Sequence, residues 1–206
     1  MFHIGLDLGQ RRDHSAIAIV ERVQYRYAYG GSERGPAVVR YLERVPLGTP
    51  YPEVVTHIRR IATSPQLVNQ CAVVADATGV GAPVLDMLRD ARMGCELSAV
   101  TLTSGEHESS RQHNGLTWYN VPKKDLYGEL LVLLERHELR IPSKLKETGS
   151  LIRELSDIRL TRSESGTARL GADQNGQHDD LAMALSLALW KGRKTSPPAW
   201  GTQRLV

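Results

Sequence analysis

The stretch "FHIGLDLG", residues 2–9, places Phe2, Ile4, Leu6 and Leu8 on one side of an extended chain and His3, Gly5, Asp7 and Gly9 on the other. Strict alternation over eight residues is the period of a β-strand. Its second face carries a carboxylate with a glycine two residues to either side, so that face is open around Asp7. Working outward, "HSAIAIVER" and "AVVRYLERVPL" read as two more strands, with "GGSERG" as the turn between them. The chain therefore opens as a β-meander.

Alternating elements follow. "YPEVVTHIRRIATS" sets Val54, Val55, Ile58 and Ile61 at helical spacing, and "CAVVAD" is a short buried strand ending at Asp76. After a Gly/Thr loop come the helix "APVLDMLRDAR" and the strand "ELSAVTL". "TSGEHESSRQHNGLTWYN" reads as a polar connection. In "VPKKDLYGELLVLLERHEL", Pro122 stands near a helix N-terminus and Leu126, Leu130, Leu133 and Leu134 share a face. "SDIRLTRSESGTARLGA" reads as a hairpin turning at "SESG", and residues 177–191 as a final helix. A meander followed by alternating strands and helices predicts an α/β fold. Its central mixed sheet joins an antiparallel meander to parallel strands and is flanked by helices. The expected division is one domain over residues 1–191 and a basic, Pro-containing tail over 192–206.

Bulk properties narrow the possibilities. The 206 residues are 41% hydrophobic and 24% charged, the balance of an ordinary globular chain. No run approaches the roughly 18–20 apolar residues that cross a bilayer, and the N-terminus lacks a signal-peptide pattern, so no membrane partner and a cytoplasmic setting are expected. Cys71 and Cys95 lie in no metal-binding spacing and read as free thiols of a reducing compartment. The net charge is +3, yet the last sixteen residues hold Lys191, Arg193, Lys194 and Arg204 with no acid, leaving residues 1–190 at −1. Any basic surface on the folded core must come from arrangement and not from excess.

The acids carry the chemistry. Asp7 lies in the first strand, and Asp76 ends a strand, where open α/β sheets form their sites. Asp179 and Asp180 precede the apolar run "LAMALSLALW". Asp180 is in line with Ala184 and Ala188, a stripe of small side chains that lets a helix lie close to a sheet. Asp179 is rotated by about 100°, so Asp180 ranks first as the inward acid. Carboxylates sharing a half-buried surface repel one another, and a hard divalent cation is one remedy. An all-oxygen set without cysteine points to Mg²⁺ or Mn²⁺ and away from zinc. Taken singly, each acid also fits a helix start or a strand-end turn.

At these residues the sequence resembles the nuclease domain of phage large terminase subunits, which is ribonuclease H-like and related to the RuvC resolvases. "GLDLGQRRDHSAIAIV", "VVADATGVGAPVLDML", "VPKKDLYGELLVLLERHELRIP" and "GQHDDLAMALSLALW" occur in that family's order across residues 2–191. The resemblance implies a ribonuclease H-like fold and metal-dependent endonucleolytic cutting of double-stranded DNA. It places the catalytic and metal-binding acids at Asp7, Asp76, Asp180 and Asp179. It also implies two Mg²⁺ or Mn²⁺ ions, one activating a water for in-line attack and one stabilising the departing 3′ oxygen. Candidate DNA contacts are Arg11, Arg12, Lys123, Lys124 and His178, with Arg159 and Arg162 on the hairpin.

The partners this implies are double-stranded DNA and, within a phage motor, a packaging ATPase domain, small terminase or portal. No GxxxxGK[ST] loop occurs in the chain, so the packaging ATPase is not expected within it. Competing readings are a RuvC-like Holliday-junction resolvase, a non-catalytic nucleic-acid-binding or assembly module and, least well matched, an actin-like kinase lobe.

Overall fold

The computed structural model describes residues 1–9, 13–26, 32–79, 81–162, 168–172 and 179–195. Three strands open the chain: β1 (Phe2–Asp7), β2 (Ala16–Arg26) and β3 (Ser32–Arg44). Then come α1 (Tyr51–Ala62), β4 (Cys71–Asp76), α2 (Gly81–Asp90), β5 (Glu96–Thr103), β6 (Ser109–His113) and β7 (Leu116–Pro122). The last elements are α3 (Lys123–Glu135), β8 (Leu139–Arg140), α4 (Thr148–Asp157), β9 (Ile158–Arg162), β10 (Ala168–Ala172) and α5 (Asp180–Thr195).

Eight strands form one sheet in the order β6-β7-β5-β4-β1-β2-β3-β8. β1, β2 and β3 make the antiparallel meander; β4 pairs parallel with β1, β5 with β4, and β7 with β5. The mixed sheet expected from the sequence is therefore present. Alternation along β1 divides the molecule into layers. Ile4, Leu6 and Leu8 pack with Val54, Val55 and Ile58 of α1 and Leu85 and Leu88 of α2. On the opposite face, Ala16, Ala18, Val74, Val100 and Val121 meet α3, α4 and α5.

α5 fills the middle of that second layer and is buried from Asp180 through Gly192. This is why its sequence is apolar all round. It lies on β1 at a point where no side chain projects. A Cβ added to Gly5 would stand 1.9 Å from the Ala184 carbonyl oxygen and 2.8 Å from the Ala188 nitrogen. Gly5 is flanked in register by Ala18 of β2 and Val74 of β4, so the sheet is shallow beneath the helix. The far end of α5 is tied down by polar contacts. Lys191 Nζ donates to Glu96 Oε1 at 2.6 Å and to Ser98 Oγ at 2.9 Å, and His3 Nε2 meets Thr195 Oγ1 at 2.6 Å.

Several expectations are revised. The connection read as irregular between residues 103 and 120 contains β6 and most of β7, an antiparallel hairpin at the sheet edge. Its turn is Asn114-Gly115, with φ of 49° and 76°, the left-handed pair that a two-residue hairpin turn requires. β3 begins at Ser32, inside the stretch read as a turn, while β8 and α4 were not foreseen. α5 continues to Thr195, so residues 192–195 belong to the helix and not to the tail. The "SESG" turn and residues 196–206 lie outside the described residues. Cys71 is buried and Cys95 half-buried, both free. They sit one residue before the paired Ala72 and Glu96 on neighbouring strands. Among the described residues, no helix is long and apolar enough to cross a membrane.

Because the helix backbone occupies the space of a side chain at Gly5, substitution there must displace α5. Gly5→Val is expected to cost about 3 kcal/mol or more, whereas Gly128→Ala, in α3 at a position with open space around it, should cost far less. Urea denaturation of both variants checks this; equal losses would contradict it.

Candidate metal and nuclease site

Asp7 ends β1 and Asp76 ends β4. These strands are parallel and paired in register through Leu6 and Ala75, so the next residue on each strand emerges on the same face. Their backbones are roughly 4.8 Å apart. α5 starts at Asp180, with Asp179 immediately before it. All four acids line one crevice of about 410 Å³, together with Asp13, Thr78 and Lys123. Asp76 and Asp180 are only 7% and 6% exposed, so these charges are held largely away from water.

The neighbouring loops fix the acids. Asp76 Oδ1 accepts a hydrogen bond from the Thr78 backbone N–H at 2.7 Å, and Thr78 Oγ1 accepts one from the Leu102 N–H at 2.8 Å. The loop after β4 is thereby fastened to the end of β5, which keeps Asp76 facing the crevice. Asp179 Oδ2 accepts from Lys123 Nζ at 2.9 Å and from Tyr127 OH at 2.6 Å. The Lys123 ammonium also stands 5.5 Å from the Tyr127 ring centre. Pro122 caps the start of α3, placing Lys123 and Tyr127 one helical turn apart on the same face.

Crowding shows in the proton affinities. Burial drives Asp7 well above the usual carboxylate range, and the charges of Asp76, Asp180 and Asp179 push it further; Lys123 opposes them. Asp76 is also raised, because burial outweighs the hydrogen bonds from Thr78 and the charge of Lys123. Burial, followed by the charge of Asp179, lifts the Tyr127 phenol well above its ordinary value.

The acids offer only oxygen donors, which fits a hard divalent ion. The acids are nevertheless not closed around a point. Among the described residues, no three His, Cys, Asp or Glu side chains stand close enough to hold one ion as placed. Asp179 is held instead by Lys123 and Tyr127.

The structure brings together the four acids singled out in the sequence. Lys123, expected as a DNA contact, is placed inside the crevice against Asp179, and Lys124 pairs with Glu106 at the surface. Arg11, Arg12 and His178 lie outside the described residues, as do the side chains of Arg159 and Arg162. Asp13, Thr78 and Tyr127 were missed. Thr78 was readable, since a residue two after an Asp is its usual backbone partner. Tyr127 follows Lys123 at helical spacing. Asp13 had no periodic signal.

A folded carboxyl whose proton affinity is raised costs nothing below its unfolded pKa, and the cost grows as pH rises towards its folded value. Metal-free Asp7→Asn should therefore melt higher than the parent at pH 7.5, and the difference should shrink towards pH 4. Differential scanning fluorimetry across that range tests this; a gain independent of pH would contradict it.

No protein-family model matches the sequence, and no curated protein matches it. Solved structures do. The large terminase nuclease from thermophilic phage G20c with bound magnesium superposes with a TM-score of 0.63 at 21% identity, covering 93% of this chain and 81% of that one. The nuclease domain of the large terminase subunit of bacterial virus Sf6 with manganese gives a TM-score of 0.62 at 18% identity, covering 91% and 87%. The human cytomegalovirus terminase nuclease domain, soaked with manganese, gives 0.52 at 12% identity, covering 91% and 81%. At these identities the likeness speaks to architecture: the chain has the ribonuclease H-like fold of the large-terminase nuclease domains.

Proposed function

We propose that this chain is a divalent-metal-dependent endonuclease that hydrolyses double-stranded DNA, as a terminase nuclease domain would. The observation that carries the reading is the convergence of Asp7, Asp76, Asp179 and Asp180 in one crevice, where burial and the neighbouring acids raise the proton affinity of Asp7 and Asp76. Asp7, Asp76, Asp180 and Asp179 would hold two such ions. Bound there, Mg²⁺ or Mn²⁺ would supply Lewis acidity that lowers the pKa of water and offsets charge on the phosphodiester.

The remaining roles belong to the chain. Thr78 holds the Asp76 carboxylate in one orientation. Tyr127 and Lys123 grip Asp179, and Lys123 places a cation in the crevice that an incoming phosphate would meet. Phosphate contacts of this sort carry little sequence information, so weak sequence preference and a steep fall of affinity with salt follow. The G20c and Sf6 structures hold magnesium and manganese, which supports the choice of ion. On this reading the partner is duplex DNA and, if the chain works within a phage motor, a packaging ATPase domain, small terminase or portal.

Purified protein should nick supercoiled plasmid with Mn²⁺ or Mg²⁺ and not with chelator. Asp7→Asn, Asp76→Asn and Asp180→Asn should each lose at least about 100-fold in rate, and Asp179→Asn should retain more activity than Asp180→Asn. Linear duplex should be cut at least as fast as a four-way junction. Cleavage in chelator, or full activity in Asp76→Asn, would contradict the assignment.

A further inference from the structure

The first turn of α5 presents the acids, so whatever fixes that turn fixes the site. The Asp179 carbonyl accepts the Met183 N–H at 2.8 Å, which makes Asp179 the N-cap and Ala182 the third residue of the helix. The N–H at this third position is the usual target of an N-cap side chain, and aspartate is among the best residues for the purpose. Here that N–H is given to a different helix: Ala182 N donates to Glu154 Oε2 at 2.8 Å. Asp179 Oδ2 is meanwhile turned to Lys123 and Tyr127.

Glu154 is built for this contact. It lies on α4 and is 4% exposed. Its second oxygen, Oε1, pairs with the Arg44 guanidinium. Arg44 ends β3 and is in register with Ala16, which is in turn in register with Asp7. Residues in one register row share a face of the sheet. One chain of contacts thus runs from the Asp7 row through Arg44 and Glu154 to the first turn of α5.

We propose that Glu154 is a positioning residue that caps α5 in place of its own N-cap side chain. It anchors Asp180 relative to Asp7 and leaves the Asp179 carboxylate to the crevice. The inference rests on the metal-site reading above. Groups that orient metal ligands without touching the ion typically contribute about 10–100-fold in affinity.

Two measurements separate the inference from that reading. Amide hydrogen exchange without metal reports the cap itself: Glu154→Ala should lose protection at Ala182, and Glu154→Gln, which keeps an acceptor oxygen, should retain it. Calorimetric titration with Mn²⁺ reports the consequence: affinity should fall about 10-fold or more in Glu154→Ala and return close to the parent value in Glu154→Gln. Unchanged protection in Glu154→Ala would overturn the cap. Lost protection with unchanged Mn²⁺ affinity would overturn the positioning role. A parent protein that binds no Mn²⁺ would sink the metal reading, and the positioning claim with it, while the exchange result still judged the cap. If Glu154→Ala does not fold, Glu154→Asp, whose carboxylate is one methylene shorter, takes its place with the same readouts.

Discussion

Everything in this molecule turns on the contact between the backbone of α5 and the bare backbone of β1 at Gly5. A helix that lies on a sheet with its carbonyl inside the space of a Cβ cannot slide along the strand or roll about its axis without collision. Its position along β1 is set at the other end too, where Lys191 is held by Glu96 and Ser98 and where Thr195 meets His3. Burial, reinforced by the positive charges of the N-terminus, Arg22 and Lys191, lowers the His3 pKa to about 4, so the ring is neutral at physiological pH and this anchor carries no extra charge. Pinned at both places, the helix delivers Asp180 to the ends of β1 and β4 with little freedom.

That rigidity has an electrostatic consequence. Five aspartates and a single lysine line the crevice among the described residues. Glu154 beneath them is raised to about 7, chiefly by burial, against the opposing pull of the Ala182 N–H and Arg44. Crowding acids where water cannot screen them is costly. The proposed divalent cation would offset that cost. A small divalent cation delivers the most charge in the least volume and accepts only the oxygen donors present. Lys123 already supplies one positive charge there, on Asp179.

Much of this was legible in the sequence, for local reasons. Period-two alternation in residues 2–8 placed Asp7 on the face away from Ile4 and Leu6, and the alanine stripe from Ala184 to Ala188 named the inward side of the last helix. What stayed hidden depends on long-range pairing. Nothing local in "TGSLIRELSD" shows that Glu154 will reach the start of another helix, and the two-residue β8 exists only because β3 is beside it. Lys123 read as a surface cation because sequence spacing cannot show that α3 brings it to Asp179. The β6–β7 hairpin is a different case: Asn114-Gly115 was a readable turn, obscured by the polarity of the strands around it.

The most direct measurement is a crystal of the protein soaked in Mn²⁺, with anomalous scattering recorded at the manganese edge. The account predicts density between Asp7, Asp76 and Asp180, with the carboxylates drawn inward relative to the metal-free crystal. A saturating soak that leaves the crevice without anomalous signal, or that places manganese away from β1, β4 and α5, would contradict it.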